Sequence, residues 1–275
     1  MSELTIESTV KLNNGIEMPI LGLGTYLATD QRGYEAVRHA LKIGYRHIDT
    51  AAMYGNEREV GNAIKDDDVP REDIYVTTKL WNSDHGYEKA LAAFEESYEK
   101  MGLDYIDLYL IHWPVTGLRL DSWRALEQIQ KDGKVKSIGV SNYTIRHIEE
   151  LLKEAKVIPV VNQVEFHPYL YQKELQDYCM SKNIWIQSYS PLTKGQMLDD
   201  PPLVEIARKN NRSTAQILIR WAIQRDTITL PKSANVSRIM ENAEVFDWII
   251  SEEDMKTLDS LNRNMHVTWD PTDEP

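Results

Sequence analysis

The chain has a single cysteine, Cys179, among 275 residues. No internal disulfide is possible, and such usage fits a reducing compartment. No apolar run approaches the roughly 20 residues needed to cross a bilayer. The opening Met-Ser-Glu-Leu-Thr-Ile-Glu lacks the basic and apolar regions of a secretory leader, so the expected location is cytoplasmic. Positive charge is in deficit: 31 Lys and Arg against 43 Asp and Glu leave a formal net charge of −12 and a pI near 5.1. That field opposes nucleic acid and anionic membranes, so any anionic ligand must find a local basic cluster. The seven histidines include no paired spacing such as His-Glu-x-x-His, and no metal is expected. There is no linker, repeat or low-complexity segment, and one domain over residues 1–275 is expected.

The hydrophobic content, 42%, is enough to fill a core of this size. Residues 9–18 alternate on both sides of Asn14-Gly15, which predicts a hairpin with a two-residue primed turn. The segment Gly22-Leu-Gly24-Thr25-Tyr26-Leu27 has Leu27 where a dinucleotide fingerprint needs its third glycine, so a Rossmann fold is rejected. Eight short apolar runs follow, at 20–23, 45–49, 74–79, 105–112, 135–140, 160–163, 184–188 and 227–230. Helix-period segments alternate with them, at 32–43, 87–101, 122–131, 145–153 and 172–182, with two more at 203–209 and 214–224. Strands joined by crossover helices run parallel, and the count predicts an α/β fold: a (β/α)8 TIM barrel with the N-terminal β-hairpin capping its bottom.

In such a barrel the reactive groups stand at the C-terminal strand ends. Seven of the runs end in polar residues: Asp49, Lys79, His112, Ser141-Asn142, Gln163, Tyr189 and Lys232. A strand-terminal Asp is often only a helix N-cap. A partly buried carboxylate, however, needs a cation, and Lys79 on the adjacent strand, ~4.8 Å away, can supply it. Tyr54 follows Asp49 on the same loop. A neighbouring ammonium would stabilise its phenolate and lower its pKa, making it a proton donor near neutrality. His112 could orient a carbonyl oxygen, although Ile111-His112-Trp113-Pro114 equally suits a buried structural histidine. Asn142 and Gln163 carry amides able to hold a carboxamide, and Tyr189 offers a flat face for a ring.

Over essentially its whole length the chain resembles the aldo-keto reductase family, among whose members it is most similar to small prokaryotic-type reductases. The likeness lies in Gly44-Tyr-Arg-His-Ile-Asp-Thr-Ala, Tyr54-Gly-Asn-Glu, Thr78-Lys-Leu-Trp81, Leu103 to Pro114, Gly139-Val-Ser-Asn142, Val161-Asn-Gln-Val-Glu165, Tyr189-Ser-Pro-Leu192 and Pro231-Lys-Ser233. The resemblance implies an NADPH-dependent reductase of aldehydes and ketones, with Asp49, Tyr54, Lys79 and His112 as catalytic tetrad and Tyr54 as general acid. It further implies nicotinamide contacts at Ser141, Asn142, Gln163 and Tyr189, with Gly24, Thr25, Asp49, Ser190 and Leu192 also against the cofactor. Asn235 is a plausible N-cap, which puts Arg238 in a first helical turn where an anion is favoured. With Lys232 and Ser233, Arg238 would hold the 2′-phosphate, and Glu241 and Asn242 would lie near the adenine. A solvated arginine on a helix face is the plain alternative.

The expected substrates are small aldehydes, α-dicarbonyls and keto-sugars in an open aromatic pocket of Tyr26, Met53, Trp81, His112 and Trp113, with Trp269 reaching over from the tail. Trp81 and Trp113 could instead be core residues under the loops. The connection after residue 112 is short and the tail beyond Asn262 is brief, so little is expected to close over a ligand. Many relatives have tryptophan at the position of Tyr26, so specificity cannot be copied from them. Two other functions fit the same residues: a Schiff-base aldolase using Lys79, and a non-enzymatic NADPH-binding regulatory subunit. The Asp49 partner argues against the first and the four retained reactive positions against the second. A monomer is expected.

Overall fold

The computed structural model describes residues 4–274. The first three residues, on which the absence of a leader partly rests, and the final Pro275 lie outside the described residues. Strands β1 (Thr9–Lys11) and β2 (Glu17–Pro19) form the hairpin. Its turn differs from the expectation. Leu12 N–H bonds Ile16 O at 2.9 Å and Gly15 N–H bonds Leu12 O at 2.9 Å, so the loop has three residues, Asn13 to Gly15. Only Gly15 among them has positive φ, +88°, whereas a two-residue primed turn needs it at both central positions.

The barrel strands are β3 (Leu23–Gly24), β4 (His47–Asp49), β5 (Tyr75–Leu80), β6 (Ile106–Ile111), β7 (Val135–Ser141), β8 (Val161–Glu165), β9 (Trp185–Tyr189) and β10 (Ile228–Leu230). They pair in parallel in sequence order, and the bridges Leu21 to Thr229 and Gly24 to Lys232 bring the last strand back against the first. The eight-stranded barrel is as expected. Helices α1 (Asp30–Lys42), α2 (Glu57–Lys65), α3 (Tyr87–Met101), α4 (Arg119–Lys131), α5 (Ile145–Glu154), α6 (Lys173–Ser181), α7 (Pro201–Asn210), α8 (Thr214–Gln224), α9 (Val236–Ala243) and α10 (Glu252–Asp259) surround it. None of the described helices is long and apolar enough to cross a membrane.

Helices α2 and α10 were not evident in the sequence. In α2 the apolar spacing Val60, Ala63, Ile64 is interrupted by Gly61, a residue that weakens a helix. The reason is close approach: a Cβ on Gly61 would lie 2.0 Å from the carbonyl oxygen of Met101 at the end of α3.

Strand alternation separates two cores. Ile48, Val76, Tyr109, Ile138 and Val164 face the helices, whereas Leu12 and Met18 of the hairpin join Tyr75, Leu108, Leu110, Val160, Val161 and Ile228 in a second cluster that fills the lower lumen. Asn13 Nδ2 donates to Pro159 O at 2.9 Å and Trp185 Nε1 to Lys11 O at 3.1 Å, fastening the plug to the strand starts. With one end filled, a ligand can enter only at the other.

Candidate active site

At the open end the inward-facing positions turn polar. Asp49 pairs with Thr77 in register, so Lys79 stands one inward position further along β5, and its ammonium reaches back to Asp49 Oδ1 at 2.6 Å. Thr50 O accepts a second bond from Lys79 at 2.7 Å, and Gln163 Nε2 donates to Asp49 Oδ2 at 2.8 Å. Burial pushes the Asp49 carboxyl up and the Lys79 ammonium down, and each is opposed by the other's charge. The Lys79 side chain has no solvent exposure, so this amine is held as one half of an ion pair. Buried Asn56 fixes the loop geometry: its Nδ2 donates to Thr25 O at 3.0 Å and Ala28 O at 2.8 Å, while Thr50 Oγ1 donates to its Oδ1 at 2.6 Å.

Tyr54, in a one-turn 3-10 helix after Asp49, lies with its ring centroid 5.2 Å from Lys79 Nζ. The expected lowering of its pKa is not found. Burial above all, then the negative charge of Asp49, pushes the phenol well above its usual 10. Burial is the largest cause and the Asp49 carboxylate adds to it, so Tyr54 stays protonated. His112, ring centroid 6.0 Å from Tyr54, is pushed well below 6.5 by burial and then by Lys79, so it is a neutral imidazole able to present a single N–H.

The remaining predicted residues fall into three groups. Beside the ion pair, Ser141 Oγ donates to Gln163 O at 2.7 Å, Asn142 Nδ2 donates to His112 O at 2.9 Å, and Tyr189 Oη donates to Asn142 Oδ1 at 2.8 Å. Asn142 sits in the left-handed region, φ +63°, which asparagine tolerates better than most residues. Both polar ends of its amide are thus engaged within the protein. Thr25 Oγ1 bonds Asp49 O at 2.9 Å, and Ser190, with φ +49°, and Leu192 continue from Tyr189.

The second group lies at the corner of β10 and α9. The predicted cap is present: Asn235 Oδ1 accepts from Arg238 N–H at 3.1 Å. Lys232 and Arg238 are exposed and form no ion pair among the described residues, while Ser233 is buried and Asn242 nearly fully so. Two unpaired cations at a helix N-terminus, in a strongly acidic chain, are the donor set a phosphate requires. Glu241 follows on the same helix.

The third group is aromatic. Tyr26 packs edge-on to Tyr54 at 5.1 Å, Trp81 edge-on to His112 at 5.2 Å, and Trp269 lies 6.5 Å from Trp81 and 5.6 Å from Trp113. Met53 is exposed beside Tyr54. Trp113 is only 9% exposed, so it serves the core as much as the cleft. A cavity of about 840 Å³ lies to one side, between residues 142–146, residues 170–175 and the tail; it shares Asn142 and Trp269 with the site but reaches neither Tyr54 nor Lys79. The aromatic residues, and not this cavity, border Tyr54.

The tail corrects another expectation. It crosses the mouth instead of leaving it open: Met265 N–H bonds Tyr169 O at 3.0 Å, Val267 N–H bonds Glu165 Oε1 at 2.7 Å, and Thr268 N–H bonds Glu165 Oε2 at 3.0 Å. Glu165 and Thr268 were not singled out from the sequence. One signal existed: Glu165 follows Gln163 by two residues on β8 and so faces the same lumen.

The sequence profile of the Aldo/keto reductase family matches residues 20–263. The chain is 52% identical over 268 residues to a glyoxal reductase of Bacillus subtilis, covering 97% of both, and 50% identical over 266 residues to a 9,11-endoperoxide prostaglandin H2 reductase of Trypanosoma cruzi, covering 95% of this chain and 94% of that one. A crystal structure of an aldo-keto reductase enzyme from a Medee basin deep-sea metagenome library superimposes with a TM-score of 0.93 at 49% identity, over 96% of this chain and 98% of that one. With the lysine–aspartate pair, the protonated tyrosine and the neutral histidine gathered at the mouth of the barrel, these likenesses show that the chain belongs to the aldo/keto reductase family of oxidoreductase enzymes.

Proposed function

We propose that this enzyme reduces small aldehydes, α-dicarbonyls and keto-sugars to alcohols with NADPH, and that Tyr54 delivers the proton. The observation that carries this reading is the protonated Tyr54 phenol standing between His112 and the Asp49–Lys79 pair. Bound NADPH supplies the hydride. Asn142 and Gln163 would grip the carboxamide, Tyr189 would lie against the ring, and Lys232, Ser233 and Arg238 would take the 2′-phosphate. His112, neutral, offers an N–H to the carbonyl oxygen and aligns it toward the Tyr54 hydroxyl. As the oxygen gains negative charge it accepts the phenolic proton, and the buried ammonium of Lys79 stabilises the phenolate left behind. Asp49 keeps Lys79 charged and in place. The proposed acting unit is a single chain.

Two of the curated relatives are named for reducing glyoxal and a prostaglandin endoperoxide, and aromatic walls of this kind give contact area without strict directional demands. The test is Tyr54→Phe, which removes one oxygen and little volume. NADPH affinity should be retained while kcat for glyoxal and methylglyoxal falls by at least ~10². In the wild type, kcat/KM should also stay level up to about pH 9, because a phenol raised above 10 does not ionise there. Reduction by Tyr54→Phe at near wild-type rates would remove Tyr54 from the mechanism.

A further inference from the structure

Glu165 is buried at 2% exposure, yet it lies two residues beyond Gln163 on the lumenal side of β8 and nothing in the proposed chemistry uses it. Its four contacts leave no doubt about its state. Oε1 accepts from His167 Nε2 at 2.8 Å and Val267 N–H at 2.7 Å; Oε2 accepts from Thr268 N–H at 3.0 Å and from the Thr268 hydroxyl. Leu170 N–H donates to His167 Nδ1 at 3.1 Å, so in the neutral ring the proton is on Nε2 and points at the carboxylate. Burial alone would raise the Glu165 pKa, but these donors together bring it below the ordinary carboxylate range. An ionised Glu165 accepts and never donates.

A hydrogen count then exposes a shortage. The Tyr189 hydroxyl oxygen is 2.8 Å from Asn142 Oδ1 and 3.0 Å from Thr268 Oγ1, and Thr268 Oγ1 touches Glu165. The Asn142 amide cannot be reversed, because its Nδ2 faces the carbonyl oxygen of His112, which can only accept. Three oxygen–oxygen contacts therefore share two hydroxyl protons. The Thr268 proton goes to the carboxylate, the strongest acceptor, and the Tyr189 proton goes to Asn142. The contact between Tyr189 and Thr268 is left without a hydrogen.

We infer that Glu165 and Thr268 are positioning residues: the Glu165–Thr268–Tyr189 chain couples seating of the nicotinamide carboxamide at Asn142 to closure of the tail strap, residues 263–274, that carries Trp269. The inference rests on the cofactor placement proposed above. Once a carboxamide N–H occupies Asn142 Oδ1, Tyr189 turns its proton to Thr268 and the missing bond forms. A cavity of about 840 Å³ lies beneath the strap, which is held at separated points: Tyr169 O, Glu165, and the N-terminal turn of α5, where the Arg146 and His147 side chains bond Glu274 O. Trp269, 62% exposed, sits between the last two anchors and against Trp81 and Trp113. Cofactor would thus complete the aromatic wall before the carbonyl compound arrives.

The experiment follows amide hydrogen exchange at Val267 and Thr268, with and without NADPH, in the wild type, Thr268→Ser and Thr268→Val; NADPH affinity is measured alongside by fluorescence titration. In the wild type and in Thr268→Ser, NADPH should slow exchange of both amides by about three- to tenfold, the effect of one added hydrogen bond. In Thr268→Val, NADPH should still bind but leave exchange unchanged. Its KM for methylglyoxal should rise about three- to tenfold with kcat within about twofold of wild type, because Thr268 touches no reacting atom. An equal slowing in Thr268→Val, or equal losses in the serine and valine variants, overturns the coupling while leaving the cofactor site intact. Failure of the wild type to bind NADPH overturns the cofactor placement, and the coupling with it.

Discussion

At the mouth of the barrel, Asp49 and Lys79 face each other at 2.6 Å with almost no access to water; at the corner of β10 and α9, Lys232 and Arg238 stand in solvent without an acidic partner among the described residues. The first pair is complete within the protein, so removing either member strands the other charge in a medium that cannot solvate it. The second pair has no such partner, and the fold barely depends on exposed charges of this kind. In the proposed reading, stability and proton chemistry are therefore concentrated in one cluster and affinity for the cofactor phosphate in the other.

The largest effect should come from breaking the buried pair. Lys79→Met leaves Asp49 as an uncompensated anion and should lower unfolding stability by ~3–5 kcal/mol, read from urea denaturation. Adding Asp49→Asn to it should recover much of that loss, and a double variant no more stable than the single one would contradict the pairing argument.

The buried side should also be the acid-sensitive side. Burial lowers His47 to about 3 and His85 to about 4, and His112 also lies well below 6.5. These folded-state values are depressed, so the stability they contribute is fully present above the unfolded value of 6.5. Below it the unfolded chain gains protons that the folded chain refuses, and stability falls. For His47 and His85 together the loss should reach roughly 2.4 kcal/mol between pH 6 and 5, at ~1.2 kcal/mol per group over that interval. A melting temperature that holds level or rises over that interval would show that other groups set the acid response.

On the exposed side, Arg238→Ala should weaken NADPH by roughly ten- to hundredfold, the worth of ~1.5–3 kcal/mol for a charge-assisted contact, while NADH binding and the melting temperature stay near wild type. Equal weakening of both cofactors would mean that Arg238 does not read the 2′-phosphate.

Trp113 lies between the extremes, buried yet lining the cleft. Trp113→Ala should alter the order of kcat/KM among methylglyoxal, an aromatic aldehyde and a sugar aldehyde by up to ~1–3 kcal/mol, the scale of one apolar contact. An unchanged order, with lowered stability alone, would make it purely a core residue.

Much of this protein could be read from its sequence, and the reason is local. Strand alternation puts residues two apart on one face, and the right-handed crossover puts every strand end at the same mouth, so Asp49, Lys79, His112, Gln163 and Tyr189 were brought to one place by period and direction. Asn235 as a cap and the cations behind it were equally legible, because capping depends on a few consecutive residues. Helix α2 was obscured because the contact that requires Gly61 is made with residue 101, distant in the chain. The protonation of Tyr54 was misread for a related reason: sequence suggested the ammonium but not how deeply the ring is buried or how near the carboxylate would come. The strap was hidden too, since Glu165 meets Thr268 across 103 residues. Periodicity determined where each side chain points. Burial, the field at each site, and contacts between distant segments exist only after the chain has closed on itself, and these the tertiary structure alone decided.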